Sequence, residues 1–251
     1  MQSLFDLRGQ VVAVAGAAGA FGSVISQELV RQGCSLAIFD KNTDGLKQLA
    51  SQFDSDRVYS RTFDVTEETA CQLALQAAFE RWERLDGFVN CVGLFEIISA
   101  TEMPEEIFSQ IIETNLNAAF LMCRTAAKIM IPQKHGRIIN IASVSDRISN
   151  PGYAAYAASK AALTHLTRVL AIEWAEHSIT VNAISPAICD TPLTHSFLEQ
   201  GDNREYARSR IPMGRLFEPM DILGTVILLL SQSGSFITGQ AIHIDGGRTI
   251  S

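Results

Sequence analysis

The sequence predicts an α/β fold, a doubly wound parallel sheet with helices on both faces, and three observations point to it. Short apolar runs alternate with longer segments of helical period. Most of the runs are bounded by Gly, Asp, Asn or Ser and several are rich in Val and Ile, as strands covered by helices on both sides would be. The first run passes through a glycine-spaced turn into a helix, the junction at which such sheets bind nucleotides. Of 251 residues, 47% are apolar, enough to build a core of that size.

In chain order, residues 11–15 read as the first strand, and residues 21–32 as a helix carrying Val24, Ile25, Leu29 and Val30 at helical spacing. Residues 35–39 and 58–62 are the second and third strands. A helix over 66–82 opens with Thr66 and Thr69 in its first turn and continues through Leu73, Leu75 and Phe79. Residues 87–92 form the fourth strand. A long helix over 107–131 follows, ended by Pro132 and the break at His135-Gly136. Residues 138–142 precede a second long helix over 154–175. Residues 180–184, a shorter helix over 219–230 with Pro219 in its first turn, and residues 240–244 complete the series. Alternation of this kind closes with right-handed crossovers. No repeat, low-complexity tract or linker interrupts it, so residues 1–251 read as a single domain.

Composition excludes several partners. The net charge is −7 and the basic residues are scattered, with no run to track a phosphate backbone, so no nucleic acid is expected. The five cysteines are odd in number and contain no CxxC pair, as free thiols of a reducing cytoplasm would be. The five histidines form no HxxxH or HExxH pair, and no metal is expected. Arg8 and the small apolar run 11–20 imitate a secretory signal. Asp6 before them and the glycine-spaced helix after them argue against one. The apolar stretch 222–230, broken by Gly224 and Thr225, is too short to cross a bilayer. A cytoplasmic protein with no membrane partner is expected.

The first strand runs into Ala15-Gly16-Ala17-Ala18-Gly19-Ala20-Phe21-Gly22. Glycines there let the chain turn sharply and let a pyrophosphate approach a helix N-terminus, where unpaired amides and the dipole favour an anion. Gly16, Gly19, Phe21 and Gly22 are therefore assigned to a dinucleotide. Asp40 ends the second strand, where a carboxylate can accept from both adenosine ribose hydroxyls and repels a 2′-phosphate. A turn aspartate is the alternative. Lys41 could soften the repulsion, but neither Ala17 nor Ala18 offers a base for a phosphate. The reading favours NAD(H) over NADP(H).

Tyr156 and Lys160 stand four apart and share one face of the second long helix. A phenol with an ordinary pKa of about 10 is a poor acid/base at neutral pH. An adjacent ammonium would lower it, which makes the pair suited to alcohol chemistry.

With these motifs the chain resembles the short-chain dehydrogenase/reductase family, in its compact single-domain branch, over nearly its whole length. The resemblance implies a seven-stranded Rossmann-like sheet, a Tyr156/Lys160 centre, the catalytic serine at Ser143 and the helix asparagine at Asn115. Ser143 would hold and polarise the substrate oxygen. Lys160 would also bond the nicotinamide ribose, and Asn115 would anchor a water chain that relays protons. The resemblance further places Asp64 and Val65 at the adenine, Asn90, Val92 and Gly93 beneath the cofactor, and Pro186, Cys189 and Thr191 at the carboxamide. It implies a hydride transfer between nicotinamide and a secondary alcohol or ketone. The chain departs from the pattern at Ala15, Ala20, Val92 and Ala187, and the spacing of Gly16, Gly19 and Gly22 is that of the family's longer branch, whose extra substrate domain is missing here.

The substrate pocket is expected from Phe95, residues 145–153 and a lid over about 189–213. That lid carries Leu193, Phe197, Leu198 and Tyr206 with His195, Arg204, Arg208 and Arg210. Its apolar members suit a partly hydrophobic substrate. The arginines read either as solvated helix charges or as ligands for a carboxylate or phosphate. The pattern is similar to 3-oxoacyl reductases and to sugar-alcohol and cyclic-alcohol dehydrogenases. A redox-neutral epimerase or dehydratase and a non-catalytic nucleotide sensor are the competing readings. The resemblance also implies a homotetramer, or else a homodimer, in which the two long helices pack across one two-fold axis and the C-terminal strands meet across another.

Overall fold

The computed structural model describes residues 4–251. Its sheet has seven strands, all parallel, in the order β3-β2-β1-β4-β5-β6-β7. The strands are β1 (Val11–Ala15), β2 (Ser35–Asp40), β3 (Val58–Thr62), β4 (Gly87–Asn90), β5 (Gly136–Ile141), β6 (Ile179–Pro186) and β7 (Ala241–Ile244). The helices are α1 (Ala20–Arg31), α2 (Thr43–Ala50), α3 (Glu68–Trp82), α4 (Glu105–Ile112), α5 (Ala118–Gln133), α6 (Ala154–Trp174), α7 (His195–Leu198), α8 (Asn203–Ser209) and α9 (Leu223–Leu230).

Strand alternation sorts the core into two layers. Val12 and Val14 of β1 face α1, α2 and α9, packing with Ile25, Leu29, Leu46 and Val226. Val11, Ala13 and Ala15 face α3, α5 and α6, packing with Leu75, Met122 and Leu170. Every residue of β1, β4, β5 and β6 is buried, which is why these strands are apolar on both faces. The strand order reverses between β1 and β4, and Ala15 of β1 sits level with Phe39 of β2 and Asn90 of β4. A crevice opens beyond those carboxyl ends, the place where such sheets take ligands.

Four departures from the sequence reading have physical causes. The long helix expected over 107–131 is two helices joined by a π-helical turn at Glu113–Asn117. Pro132 does not end it, because α5 carries that proline internally and stops at Lys134 in the left-handed region. The helix expected from Thr66 starts at Glu68, since Thr66 donates through backbone and side chain to Asp64 and belongs to the preceding turn. The segment 219–230 opens with a 3₁₀ turn at Pro219–Ile222 before α9 begins.

Candidate active site

The glycine turn is built so that only glycine fits at two places. Gly16 has φ +73°, and a Cβ there would lie 2.9 Å from the carbonyl carbon of Cys91. A Cβ at Gly22 would lie 2.1 Å from the Gly16 oxygen. Gly19 caps α1 with no side-chain hydrogen bond, so amides of the first helical turn are left for an anion. This cradle fits a pyrophosphate, and Ala20 inside the helix disturbs none of it. Phe21 turns toward the cavity described below and meets Phe217 edge to face at 5.8 Å.

Asp40 closes the loop from β2. Its Oδ2 accepts from the Ala18 amide at 2.9 Å and its Oδ1 from the Asn42 amide at 2.9 Å. The carboxylate therefore forms a turn and braces the glycine loop while remaining half-buried at the crevice. Asp64 likewise turns inward on its own segment, and the Thr66 amide and hydroxyl hold its carboxyl below the usual range. Val65 is buried beside it. Asn90 lies under the crevice, accepting from the Val92 amide at 3.2 Å and donating to Asn140 at 3.4 Å.

Three further candidate residues converge behind that floor. A Cβ on Gly93 would sit 3.4 Å from Lys160 Nζ and 3.8 Å from Asn115 Oδ1. Asn115 lies in the π turn, fully buried, accepting from the Leu94 amide at 2.6 Å and donating to the Leu94 carbonyl and to Ser159 Oγ, each at 2.9 Å. Its side-chain amide thereby clamps the loop after β4 to α6. Wide turns of this type collect at functional sites.

Tyr156 and Lys160 project from α6 as their spacing requires. Lys160 is 4% exposed, its Nζ donates to the Ile141 carbonyl at 2.9 Å, and it stands 5.8 Å from the centre of the Tyr156 ring. Burial pushes its ammonium down to about 8, with Cys91 acting the other way. Tyr156 departs from expectation. Burial raises its phenol above the ordinary value, while a hydrogen bond with Ser143 draws it down. The ammonium-lowered phenol read from the sequence is thus not the resting condition of this site, because desolvation outweighs a cation held on a backbone carbonyl.

Ser143 follows β5 with extended φ and accepts from the Ser145 amide at 3.1 Å. The turn it opens is fastened by Asp146, whose side chain is almost completely buried. Asp146 Oδ2 accepts from Thr164 and Ser185, and its Oδ1 pairs with His243 Nε2, all at 2.9 Å. One carboxylate thus ties the serine turn to α6, β6 and β7. No local pattern in the sequence marks it.

Ser143 and Tyr156 open on one cavity of about 380 Å³. Phe95, Ser145, Ile148, Asn150, Pro151 and Tyr153 line it, together with Pro186, Cys189 and Thr191. Phe95 contacts Tyr156 and Tyr153 edge to face, at 4.7 and 5.0 Å. The lid folds as α7 and α8 and contributes Leu193, Phe197, Tyr206 and Arg210. Met213 instead lines a separate cavity of about 200 Å³ with Arg215 and Asp221. The Cys189 carbonyl accepts from the Thr194 hydroxyl, and the Thr194 hydroxyl oxygen in turn accepts from the Thr191 amide at 3.1 Å. Among the lid's ionic side chains, Arg204 bridges Asp190 and Glu199, Arg208 pairs with Glu205, and His195 meets Asp190. The solvated-charge reading therefore holds for those two arginines.

Residues 16–249 match the family model described as Enoyl-(Acyl carrier protein) reductase. The chain is 35% identical over 244 residues to 3-oxoacyl-(acyl-carrier-protein) reductase FabG of Rickettsia bellii, covering 97% of this chain and 98% of that one. It superposes on a gluconate 5-dehydrogenase from Burkholderia cenocepacia in complex with NADP and tartrate, with TM-score 0.94, 27% identity and 98% of each chain covered. A 3-ketoacyl-(acyl-carrier-protein) reductase from Brucella melitensis complexed with NADH gives TM-score 0.90 at 29% identity, covering 99% of this chain and 100% of that one. The chain belongs to the short-chain dehydrogenase/reductase family, of the 3-oxoacyl reductase-like type. It is an oxidoreductase of alcohol- and ketone-type substrates, in a family that binds a nicotinamide cofactor. None of its helices, among the described residues, is long and apolar enough to cross a membrane.

Proposed function

We propose that this protein interconverts a secondary alcohol and its ketone with NAD(H), using Tyr156 as general acid/base. The observation that carries this reading is the meeting of Ser143 and Tyr156 on one cavity wall with Lys160 buried behind them. Gly16, Gly19 and Gly22 would cradle the pyrophosphate, Asp40 the adenosine ribose, and Lys160 the nicotinamide ribose. Bound there, the nicotinamide would supply the hydride donor or acceptor.

The residues' own part is proton transfer and orientation. Burial keeps the Tyr156 phenol protonated at rest, so it can give its proton to a ketone oxygen as that oxygen gains charge. Ser143 donates a hydrogen bond to the same oxygen and fixes its place. In the reverse direction the phenol must first release its own proton to solvent, a loss the Lys160 ammonium would favour, and the phenolate then takes the proton of the alcohol. Asn115 holds the loop after β4 against α6 and so keeps Gly93 beside Lys160. Residues 189–213 act as the lid over this cavity.

The preference for NAD rests on Asp40, which would repel a 2′-phosphate at the end of β2. Relatives of this fold are seen with NADP and with NADH, so the carboxylate and not the fold is the argument. Assembly is proposed as a homotetramer through α4, α5 and α6 and through the C-terminal strand. The decisive experiment on the chemistry is Tyr156→Phe. Cofactor binding should stay within about twofold while turnover of any accepted alcohol falls by a factor on the order of a thousand. Retained turnover would remove Tyr156 from the role.

A further inference from the structure

The cavity's charged lining is one-sided. Among its lining residues only Arg210 and Arg248 carry a formal charge, and no aspartate or glutamate is present. This occurs in a chain whose net charge is −7, where chance would favour acids. Nearby acids are already engaged. Asp190 and Glu199 are taken by Arg204, Glu205 by Arg208, and Asp221 by Arg215. The Arg210 and Arg248 side chains have no hydrogen bond or ion pair with any described residue.

The two come from distant parts of the chain. Arg210 ends α8 in the lid, and Arg248 lies in the turn after β7. Each reaches the same cavity, whose remaining wall is largely apolar: Phe95, Ile148, Tyr153, Leu193, Phe197 and Tyr206. Two uncompensated guanidinium groups beside low-dielectric walls give the space a positive potential. Guanidinium also matches a carboxylate better than any neutral acceptor.

Resting on the oxidoreductase reading above, we infer that the substrate is an oxo or hydroxy acid with an apolar body, its carboxylate held between Arg210 and Arg248. A neutral alcohol would leave both cations unpaired against the apolar wall. A polyhydroxylated acid would find the carboxylate site, and hydroxyl partners such as Ser145, Thr191, Thr194 and Asn203, but would leave the larger, apolar share of the wall uncovered. The carboxylate would also join lid to body, so the acid favours a closed lid.

The test uses the full chain with its nicotinamide cofactor and a panel of medium-chain and aryl oxo acids, the ketone placed at successive carbons. Each acid is compared with its own primary amide and with the phosphate ester of the matching hydroxy ketone. At least one acid should exceed its amide in kcat/KM by about tenfold or more, the range of a charge-assisted hydrogen bond. Arg210→Gln and Arg248→Gln should each bring that ratio close to one, mainly through KM. Arg208→Gln, which changes an arginine already paired outside the cavity, should leave the ratio intact. Amides turned over as well as acids, a ratio that survives both cavity substitutions, or a preference for the phosphate esters would overturn the inference while leaving the oxidoreductase reading in place. If no acid, amide or neutral ketone reacts at all, the oxidoreductase reading falls and takes the inference with it.

Discussion

Lys160 shows how burial sets chemistry at a single residue. In the unfolded chain its amine titrates at the ordinary 10.5, and in the fold at about 8. Between those two values the unfolded chain holds a proton that the folded chain has released, so stability rises as pH increases from about 8 to 10.5. Below about 8 both states are protonated and the cost of the buried ammonium is fully felt. Lysine ε-carbon NMR on the cofactor-free protein should show one signal with its midpoint near 8, absent from Lys160→Met; no signal moving below pH 9 would contradict this. Asp40 makes a second prediction at this scale. Asp40→Ala should weaken NAD by about tenfold while NADP changes little or improves, as seen by fluorescence titration of both cofactors. An unchanged ratio would mean the carboxylate only braces Ala18 and Asn42. Gly16, Gly22, Asp40, Tyr156 and Lys160 could be proposed from short local patterns, whereas Ser143, Asn115 and the residues placed at the adenine and the carboxamide came only through the family resemblance. What could not be read was the Tyr156 phenol's direction of shift, since its burial, with Phe95 packed against the ring, and its hydrogen bond with Ser143 involve residues from other parts of the chain.

At the scale of elements, residues 11–15 were legible because burial on both faces makes the run apolar without interruption, while 58–62, a half-exposed edge strand, coincides with its expected bounds despite Ser60 and Arg61. The π turn at Asn115 was not, because a one-residue widening leaves the helical period of its neighbours almost unchanged. The short α2 was passed over, although Asn42 accepting from the Gly45 amide, with Leu46 and Leu49 buried, is a capped amphipathic turn. Asp146 was equally hidden: its three side-chain partners lie 18, 39 and 97 residues away. Those partners give a prediction. Asp146→Ala strands a histidine and two hydroxyls in the interior and should cost about 2–4 kcal/mol of stability in denaturant unfolding. Asp146→Asn keeps the shape and most of the bonds and should fold well. If the carboxylate positions the serine turn, Asp146→Asn lowers kcat several-fold with KM nearly unchanged; a purely structural role would leave kcat alone.

The whole molecule leaves one helix face unexplained by its own packing. On α6 the inward residues Ser159, Leu163, Thr167, Leu170 and Trp174 are buried against the sheet and its neighbours. The outward stripe His165, Val169 and Ile172 recurs at helical spacing, with Ile172 81% and Val169 41% exposed. Phe108 of α4 and Phe120 of α5 add exposed aromatic surface on the adjoining helices. A patch of this kind is what a second copy covers, and in a two-fold contact the same residue is met twice. Ile172→Asp would therefore place two like charges in a desolvated contact rather than one. Light scattering should give a tetramer for the natural chain and a smaller species for Ile172→Asp, with an unchanged far-ultraviolet dichroism spectrum. Because Tyr156 and Lys160 stand on the same helix, the smaller species should also turn over more slowly at low protein concentration and recover as concentration rises. A natural chain that scatters as a monomer, at full activity, would show that this face is solvent surface and that α6 holds its catalytic pair without help.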